Sequence, residues 1–150
     1  MNPKTLLLAK KAWKEADAIL VGAGAGMGID SGLPDFRGQS GFWKAYPPLA
    51  KMEIEFEEMA NPHWFLENPR LAWGFYGHRF NLYQKTQPHN GFHILLNKFK
   101  EENIPIFVFT SNVDSHFQKT GFAENQIMEC HGSLMHFQCI EECGQPIWPN

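Results

Sequence analysis

Residues 18–37 read AILVGAGAGMGIDSGLPDFR, and this stretch decides how the rest of the sequence is interpreted. Its first part, up to Ala23, is a short run of strand-forming residues, and glycine then occupies every second position from Gly22 to Gly28. Because glycine has no Cβ, backbone N–H groups in such a loop can approach an anion closely, and a helix N-terminus behind the loop adds a favourable dipole. The pattern predicts a buried strand that opens into a phosphate-binding loop. A glycine-rich turn after a core strand is the simpler alternative.

The glycine pattern does not fit the dinucleotide fingerprint G-x-G-x-x-G. Counted from Gly22 the third glycine would fall on Met27, and counted from Gly24 it would fall on Ile29. No second strand follows that could carry the acidic residue of such a site. The stretch instead runs into Asp35-Phe36-Arg37, which places a carboxylate, an aromatic ring and a guanidinium after the predicted phosphate loop. The sequence therefore disfavours an ordinary dehydrogenase.

The chain has 150 residues, a single-domain length, and its 43% hydrophobic and 19% charged residues are typical of a globular protein. Its formal net charge of -3 gives no electrostatic argument for nucleic acid as a partner. No apolar run reaches membrane-spanning length, and the N-terminal residues show no signal-peptide cleavage pattern. The three cysteines, an odd number, argue against a disulfide framework. We therefore expect a cytoplasmic protein with no membrane partner; its oligomeric state is left open.

Hydrophobic periodicity predicts an α/β fold with a parallel sheet. The run at 106–110 is continuously apolar, which is typical of a parallel strand covered on both faces. Prolines and aromatic residues dominate from 38 to 85, and this region is interpreted as a helical insertion. The predicted elements, in chain order, are a helix between Leu6 and Ala16, a strand at 18–23, the insertion, a helix at 91–102 capped by Asn90, and strands at 106–110, 126–130 and 134–138.

Polar side chains follow the strongest predicted strand, in Thr110-Ser111-Asn112-Val113-Asp114. Ligands of open α/β sheets bind at the carboxyl ends of the strands. An amide at Asn112 and a carboxylate at Asp114 could therefore orient a ribose and a carboxamide. The alternative is that both residues cap the next helix.

The next predicted strand ends in Glu129-Cys130-His131-Gly132-Ser133. A histidine titrates near neutral pH and can take a proton from a hydroxyl, which makes His131 a candidate general base. For any one of the seven histidines of the chain, a structural role is the alternative. Cys130, beside it, is expected to be buried as part of the packing.

Two further pairs have spacings that suit a chemical role. Cys139 and Cys143 are separated by three residues and could supply half of a tetrahedral zinc site, which needs four ligands when the site is structural. Tyr76 and Arg79 are three residues apart and would share a helix face, where the arginine could bind a carboxylate in bidentate fashion. The alternative for the second pair is a packed tyrosine beside a surface arginine.

The string from Gly24 to Arg37 resembles, without a gap, the signature of the sirtuins, the Sir2 family of NAD-dependent protein deacylases. The residues at 110–114 resemble the family's Thr-Gln-Asn-Ile-Asp, and those at 131–133 resemble its His-Gly-Ser. The resemblance implies a partial Rossmann-like parallel sheet that binds NAD, with a helical insertion and the start of a zinc-ribbon module. It covers nearly all of this chain but about the first half of the family's domain. The implied division is 1–37 and 90–135 for the Rossmann-like domain, 38–89 for the helical module and 136–150 for the start of the zinc-binding module.

The resemblance also implies a reaction in which NAD is a consumed co-substrate and an acylated-lysine protein or peptide is the second substrate. The acyl oxygen attacks the nicotinamide ribose as nicotinamide leaves, and His131 then acts as base on a ribose hydroxyl. Free lysine, nicotinamide and acyl-ADP-ribose are the products. In the implied site the phosphates contact Gly22, Gly24, Ala25 and Gly26. A mobile loop over the nicotinamide ribose carries Asp35, Phe36 and Arg37. Ser111 lies near the ribose hydroxyls, Asn112 is a catalytic and ribose-binding residue, and Asp114 binds the nicotinamide amide.

Finer implications concern zinc and the acyl group. Cys139 and Cys143 would share zinc with a second cysteine pair beyond residue 150, and Tyr76 and Arg79 look like the pair with which some sirtuins accept succinyl- or malonyl-lysine.

Two positions depart from the family pattern. Gly28 replaces a usual serine and so removes a hydroxyl near the phosphates, and Ser111 replaces a usual glutamine with a shorter side chain. Two alternatives to a deacylase therefore stay open. One is an NAD glycohydrolase or ADP-ribosyltransferase, and the other is a non-catalytic fragment that binds NAD or ADP-ribose.

Overall fold

The computed structural model of the chain describes residues 2–36, 38–141 and 143–149; the predicted cofactor-binding residue Arg37 lies outside them. The chain begins with a helix, a strand and a short helix, and a long helical stretch then precedes the second strand. The helices are α1 Pro3–Lys14, α2 Ala25–Asp30, α3 Gly38–Ala45, α4 Pro47–Lys51, α5 Phe56–Met59, α6 Trp64–Glu67, α7 Pro69–Lys85, α8 Asn90–Glu102 and α9 His116–Thr120, and the strands are β1 Ile19–Ala23, β2 Ile106–Thr110, β3 Ile127–Glu129, β4 His136–Phe137 and β5 Trp148–Pro149.

The strands β1, β2 and β3 form a parallel sheet in that order. Ile19 pairs with Ile106 and Ala23 with Thr110, and Thr110 in turn pairs with Glu129. The carboxyl ends of all three strands therefore lie in register at one edge. The predicted α/β organisation and the three parallel strands are confirmed, with strand ends within one residue of those expected.

Only one face of this sheet is covered by the described residues. Ile106 and Val108 of β2 are buried against a cluster that includes Phe92, Leu96 and Phe99 of α8. The alternate residues point to the other face and are exposed: Leu20 69%, Phe107 42%, Phe109 47% and Met128 50%. The prediction that β2 is covered on both faces is therefore wrong for this chain, because the strand alternates buried and exposed residues.

Helix α8 has sequence signals at both ends. His89 and not Asn90 is its N-cap residue, and the His89 side chain accepts a hydrogen bond from the Gly91 N–H. Asn103 ends the helix in the left-handed conformation, with φ 53°, which asparagine tolerates better than most residues. The helix so delimited presents Phe92, Leu96 and Phe99 as one buried stripe.

The region from α3 to α7 is helical, and it packs around a second apolar cluster. The buried members are Phe42, Leu49, Ile54, Met59 and Phe75. Phe42 meets Phe56 and Phe75 edge to face, with ring centroids 5.4 and 6.0 Å apart, an arrangement that aromatic quadrupoles favour. The prediction of a helical insertion is consistent with this arrangement, since each described residue assigned to a regular element there is helical.

Specific contacts join the helical region to the sheet region. Lys119 of α9 donates to the backbone carbonyls of Tyr83 and Thr86 at the end of α7, the latter at 3.0 Å. The His89 N–H donates to Ser31 Oγ at 3.0 Å, directly after α2. The first bond joins the end of α7 to α9, and the second joins the start of α8 to the end of α2.

The last part of the described chain is a two-stranded antiparallel hairpin, in which His136 pairs with Pro149 and Phe137 with Trp148. The strand expected at 134–138 is thus shorter than predicted. Cys139 and Cys143 lie between its two strands and are free thiols. Over the described residues, none of the helices combines the length and the hydropathy that a membrane span needs.

Candidate functional site

The carboxyl edge of the parallel sheet brings three chain segments together. The Ser111 N–H donates to the Ala23 carbonyl at 3.1 Å, and the Cys130 N–H donates to the Thr110 carbonyl at 2.9 Å. The segments after β1, β2 and β3 therefore leave the sheet side by side. They carry the predicted site residues Gly24, Ser111, Asn112 and His131, which matches the edge at which open α/β sheets bind ligands.

Asn112 fixes the turn between β1 and α2. Its Nδ2 donates to the Gly24 carbonyl at 3.0 Å, and its own N–H donates to Thr110 Oγ1 at 3.0 Å. Gly24 is extended, with φ −142° and ψ −173°, and a Cβ on it would lie 3.7 Å from Ser111 Oγ. The amide at position 112 therefore holds the turn and is not a helix cap.

The glycines do not form one continuous loop. Gly22 lies within β1, Gly24 is the N-cap of α2, and Gly26 and Gly28 lie within α2. The first hydrogen bond of this turn runs from the Met27 N–H to the Gly24 carbonyl. The Ala25 and Gly26 N–H groups precede it, and amides at this position of a helix have no intrahelical acceptor. They are the backbone donors that a phosphate would meet.

Asp114 is buried, with 4% of its surface exposed. Its Oδ1 accepts a hydrogen bond from the His116 N–H at 3.0 Å, and its Oδ2 lies 3.7 Å from His116 Nδ1. The alternative expectation of a capping role is therefore met in part for Asp114, which bonds the first residue of α9. Ser115, between them, is in the left-handed conformation with φ 54°.

His131 follows β3 and is exposed. Gly132, with φ 76°, turns the chain, and the Leu134 N–H then donates to the Val113 carbonyl at 3.2 Å. This bond keeps the segment that carries His131 beside the segment that carries Asn112 and Asp114. Cys130 is exposed, so the expectation that it is buried packing is wrong: β3 ends before it and its thiol leaves the sheet.

A polar network lies under this segment. Ser115 Oγ is 2.9 Å from Ser133 Oγ and donates to Glu129 Oε1 at 3.3 Å. Burial raises the pKa of Glu129, against the opposing hydrogen bonds from Gln118 and Ser115. The network joins β3, the turn after it and the start of α9.

Phe36 packs into an aromatic box that also holds Arg79. The Phe36 ring stacks on Tyr46 and Phe56, and the Arg79 guanidinium lies 5.3 Å from the Phe36 ring centroid. Asp35, next to Phe36, is exposed. The structure thus attaches the loop at 35–36 to the helical region through Phe36.

Tyr76 and Arg79 lie on one helix but have different partners. Arg79 is 7% exposed and donates through a terminal guanidinium nitrogen to Tyr83 Oη at 3.2 Å. The half-buried Tyr76 ring stacks on Phe65 instead, and burial raises the pKa of Tyr76 while the Arg79 charge lowers it. Among the described residues, Arg79 Nε has no hydrogen-bond partner. Tyr83 was missed in the sequence, although its position four residues after Arg79 on one helix was a usable signal.

The thiols of Cys139 and Cys143 interact with one another. A hydrogen bond between them raises the pKa of Cys139 and lowers that of Cys143. Within 2–36, 38–141 and 143–149, no group of three or more potential metal ligands is found. Two adjacent thiols fit half of a tetrahedral zinc site.

Comparison with known proteins gives consistent matches. A model of the Sir2 family matches residues 24–148. A protein named NAD-dependent protein deacylase from Aquifex aeolicus is 37% identical over 121 residues, covering 81% of this chain and 46% of the relative. The mitochondrial NAD-dependent protein deacylase sirtuin-5 of Canis lupus familiaris is 30% identical over 139 residues, covering 90% of this chain and 41% of the relative.

Solved structures of Sir2 homologues also match the chain. A Sir2 homologue in complex with NAD has a TM-score of 0.74 and 28% identity, covering 100% of this chain and 52% of that chain. A Sir2 homologue mutant in complex with ADP-ribose also has a TM-score of 0.74 and 28% identity, covering 100% of this chain and 53% of that one. The chain spans about half the length of the curated relatives it matches.

Proposed function

The chain belongs to the Sir2 family, and we propose that it acts in NAD-dependent deacylation of protein lysines, with NAD as a consumed co-substrate. The observation that carries this proposal is the hydrogen bond from Asn112 to the Gly24 carbonyl. It ties the turn after β1 to the segment after β2, at the edge where the family's nucleotide site is expected. The matched relatives that are named NAD-dependent protein deacylase support the proposal of the same activity for this chain.

The proposed roles follow the placement of each residue. Ala25 and Gly26 offer N–H groups to the phosphates, with Gly24 allowing close approach of the backbone, and Gly22 supports the turn from within β1. Asn112 and Asp114 orient the nicotinamide ribose and amide. Asp35 and Phe36, with Arg37 beyond the described residues, form the loop above them.

His131 is proposed as the general base for a ribose hydroxyl. Its exposure keeps the imidazole accessible, and the Leu134 to Val113 bond holds its segment against the segment that carries Asn112. A neutral imidazole nitrogen can accept the hydroxyl proton.

The test measures NAD-dependent loss of the acyl group from an acyl-lysine peptide. We expect His131→Ala to lower turnover by about 100-fold or more, in the range of a lost general base, while the melting temperature is unchanged. His93→Ala is the matched control, since His93 is also exposed but lies on α8. Undiminished turnover in His131→Ala would end the assignment of the base.

NAD glycohydrolysis or ADP-ribosyl transfer is the second candidate. It is favoured by Gly28 and Ser111, which stand where the family pattern has a serine and a glutamine. Release of nicotinamide at the same rate with and without acyl peptide would support this candidate. Strict dependence on the peptide excludes it.

The acyl group is proposed to be acidic, such as succinyl or malonyl. The support is the buried guanidinium of Arg79, whose Nε lacks a partner among the described residues; Tyr76 lies on the same helix. Turnover of succinyl-lysine peptide should fall more than turnover of acetyl-lysine peptide in Arg79→Met. An equal fall for both peptides contradicts an acidic preference.

Zinc is proposed as a structural ion held by Cys139 and Cys143 together with two further ligands. The support is the pair of hydrogen-bonded thiols between β4 and β5. Metal analysis of the purified protein should find zinc, and less of it in Cys139→Ser. An equal zinc content in both proteins contradicts the site.

The odd number of cysteines supports the reducing cytoplasm as the proposed location of the protein.

A further inference from the structure

A buried histidine beside Asp114 has no role in the proposed reaction. His116, the first residue of α9, is 0% exposed. Among the described residues, neither of its ring nitrogens has a hydrogen-bond partner. A polar group buried without a partner is unfavourable by roughly 1–3 kcal/mol, and buried polar groups in folded proteins are almost always paired. The position therefore asks for an explanation.

The ring is enclosed by groups whose positions are fixed. Phe92 of α8 meets it edge to face, with centroids 5.6 Å apart. Lys119, His89 and the Thr86 backbone lie close enough to influence its charge. The Lys119 ammonium is bonded to the Tyr83 and Thr86 carbonyls, and His89 Nδ1 is bonded to the Gly91 N–H. The carboxylate oxygen opposite His116 Nδ1 is Asp114 Oδ2, at 3.7 Å.

Among the described residues, a hydrogen-bond donor reaches only one oxygen of the Asp114 carboxylate. Oδ1 accepts from the His116 N–H. On the other side, a Cβ at Gly28 would lie 3.2 Å from Oδ2 and 3.1 Å from Leu33 Cδ1, so a serine at that position would shift the Leu33 side chain slightly and bring a hydroxyl to the carboxylate. Gly28 supplies none. Oδ2 therefore lies between a glycine and the Nδ1 side of the His116 ring.

We propose that His116 is a positioning residue, which holds the Asp114 carboxylate through Nδ1 and Oδ2 in the orientation that recognises the nicotinamide amide. It replaces the hydroxyl that Gly28 lacks. This inference rests on the proposed function, in which Asp114 contacts the nicotinamide. The 3.7 Å separation is longer than a hydrogen bond, and such contacts often shorten when the ligand is bound.

The neutral imidazole can perform this task. Burial is the main influence on His116 and lowers its pKa, although the Asp114 charge opposes the shift. A neutral histidine carries one N–H donor, and the tautomer with the proton on Nδ1 presents it to the carboxylate.

The test compares binding of NAD and of ADP-ribose by calorimetry, since ADP-ribose lacks the nicotinamide. In His116→Leu, which keeps the volume and removes both nitrogens, we expect NAD to bind about tenfold more weakly, the effect of one hydrogen bond to a charged group, and ADP-ribose to bind as in the wild type. In His116→Asn, whose amide can reach the place of Nδ1, NAD affinity should be retained. In His116→Gln, whose amide reaches toward Nε2, it should fall as in His116→Leu.

A second variant pair tests the link to Gly28. Adding Gly28→Ser to His116→Leu should restore NAD affinity, because the new hydroxyl lies beside Oδ2. If the leucine variant does not unfold cooperatively, the asparagine and glutamine variants decide the question.

Three results overturn the inference: equal weakening of NAD and ADP-ribose, which indicates a structural role, no change in either, or equal NAD affinity in His116→Asn and His116→Gln. A wild-type chain that binds neither nucleotide, or ADP-ribose without NAD, contradicts the proposed function itself.

Discussion

Gly41 lies so close to the backbone of Asp35 that no side chain fits there. A Cβ at position 41 would be 2.3 Å from the Asp35 carbonyl oxygen, well inside van der Waals contact. Gly41 belongs to α3, and the backbone it touches belongs to the loop that carries Phe36. Absence of a side chain on α3 therefore sets the position of a loop proposed to cover the nucleotide.

We expect Gly41→Ala to displace this loop, because backbone cannot rotate away as a side chain can. The predicted effect is a loss of about 1–3 kcal/mol of stability from overpacking together with weaker NAD binding, measured by thermal denaturation and calorimetry. Gly74→Ala in α7 is the control, since a Cβ there meets no atom within 4 Å. Wild-type NAD affinity in Gly41→Ala would contradict the coupling of helix and loop.

Glu129 gives a prediction about pH. Its folded pKa is raised by burial above the ordinary value of 4.5, so between these two pKa values the folded state holds more protons than the unfolded state. Stability then falls as pH rises through that interval. We expect Glu129→Gln, which cannot ionise, to melt at a higher temperature than the wild type at pH 8 and to lose this advantage at pH 4.

The comparison is made by circular dichroism melting across the pH range. Glu124→Gln is the matched control, because Glu124 is exposed and lies three residues before β3. An advantage of the Glu129→Gln protein that is the same at pH 4 and pH 8 is incompatible with the linkage.

At the scale of residues, the sequence predicted which polar residues follow the strands at the carboxyl edge of the sheet but not what they bond. Asn112 and Asp114 could be chosen because they follow a strand of unmistakable composition. The acceptor of the Asn112 amide, Gly24, is 88 positions away in sequence, and a bond of that kind depends on strand order and register. The burial of His116 could not be predicted for the same reason, because it follows from the packing of α9 against α8.

Helix α9 ends at a glycine in the left-handed conformation. Gly121 follows it with φ 103°, in the left-handed conformation, and the Gly121 N–H bonds back to the Gln118 carbonyl at 2.9 Å. Two members of this five-residue helix, His116 and Phe117, are almost fully buried, so the helix carries part of the core beneath the site.

We expect Gly121→Ala to destabilise the chain by about 1–2 kcal/mol, since alanine is strained in the left-handed region. Gly74→Ala, in a helix interior, should instead stabilise it by about 0.5–1 kcal/mol. Denaturant titration of both variants measures the two signs. Destabilisation of equal size in both would show that the conformation at Gly121 is not the cause.

At the scale of elements, the parallel strands and the helices α1 and α8 were predictable, and the helical insertion, including the long helix α7, was not resolved into its parts. The strands at 19–23 and 106–110 are short apolar runs bounded by glycine, proline or polar residues, and α8 has one apolar stripe. Helices α4, α5 and α6 have four or five residues each. Such lengths are too short for a periodicity to show, and their positions are set by the aromatic packing around Phe42.

Within residues 2–36, 38–141 and 143–149, the molecule has two apolar clusters and one sheet face that these residues leave uncovered. The continuous apolar run at 106–110 predicted two covered faces. Apolar composition shows that both faces of a strand can be buried, but it does not show whether the described chain supplies residues to cover them. Leu20, Phe107, Phe109 and Met128 share the uncovered face.

Two neighbouring residues of β2 test this asymmetry. Val108 is 0% exposed and Phe107 is 42% exposed. We expect Val108→Ala to destabilise the chain by about 2 kcal/mol, from lost burial and a cavity, whereas Phe107→Thr changes stability by less than about 1 kcal/mol because threonine suits a strand. Denaturant titration measures both. A larger loss in Phe107→Thr would mean that the face is covered in solution.

The pairing of Ile19 with Ile106 also determines the order in which the chain can fold. The whole helical region lies between these partners in sequence, and closing a loop of that length opposes folding by on the order of 4 kcal/mol in chain entropy. The helices between them form from local contacts, and once packed they hold the ends of β1 and β2 closer together than a flexible chain would. We therefore expect the parallel sheet, and with it the edge that assembles the site, to form late and at a rate that depends on earlier folding of the helical insertion.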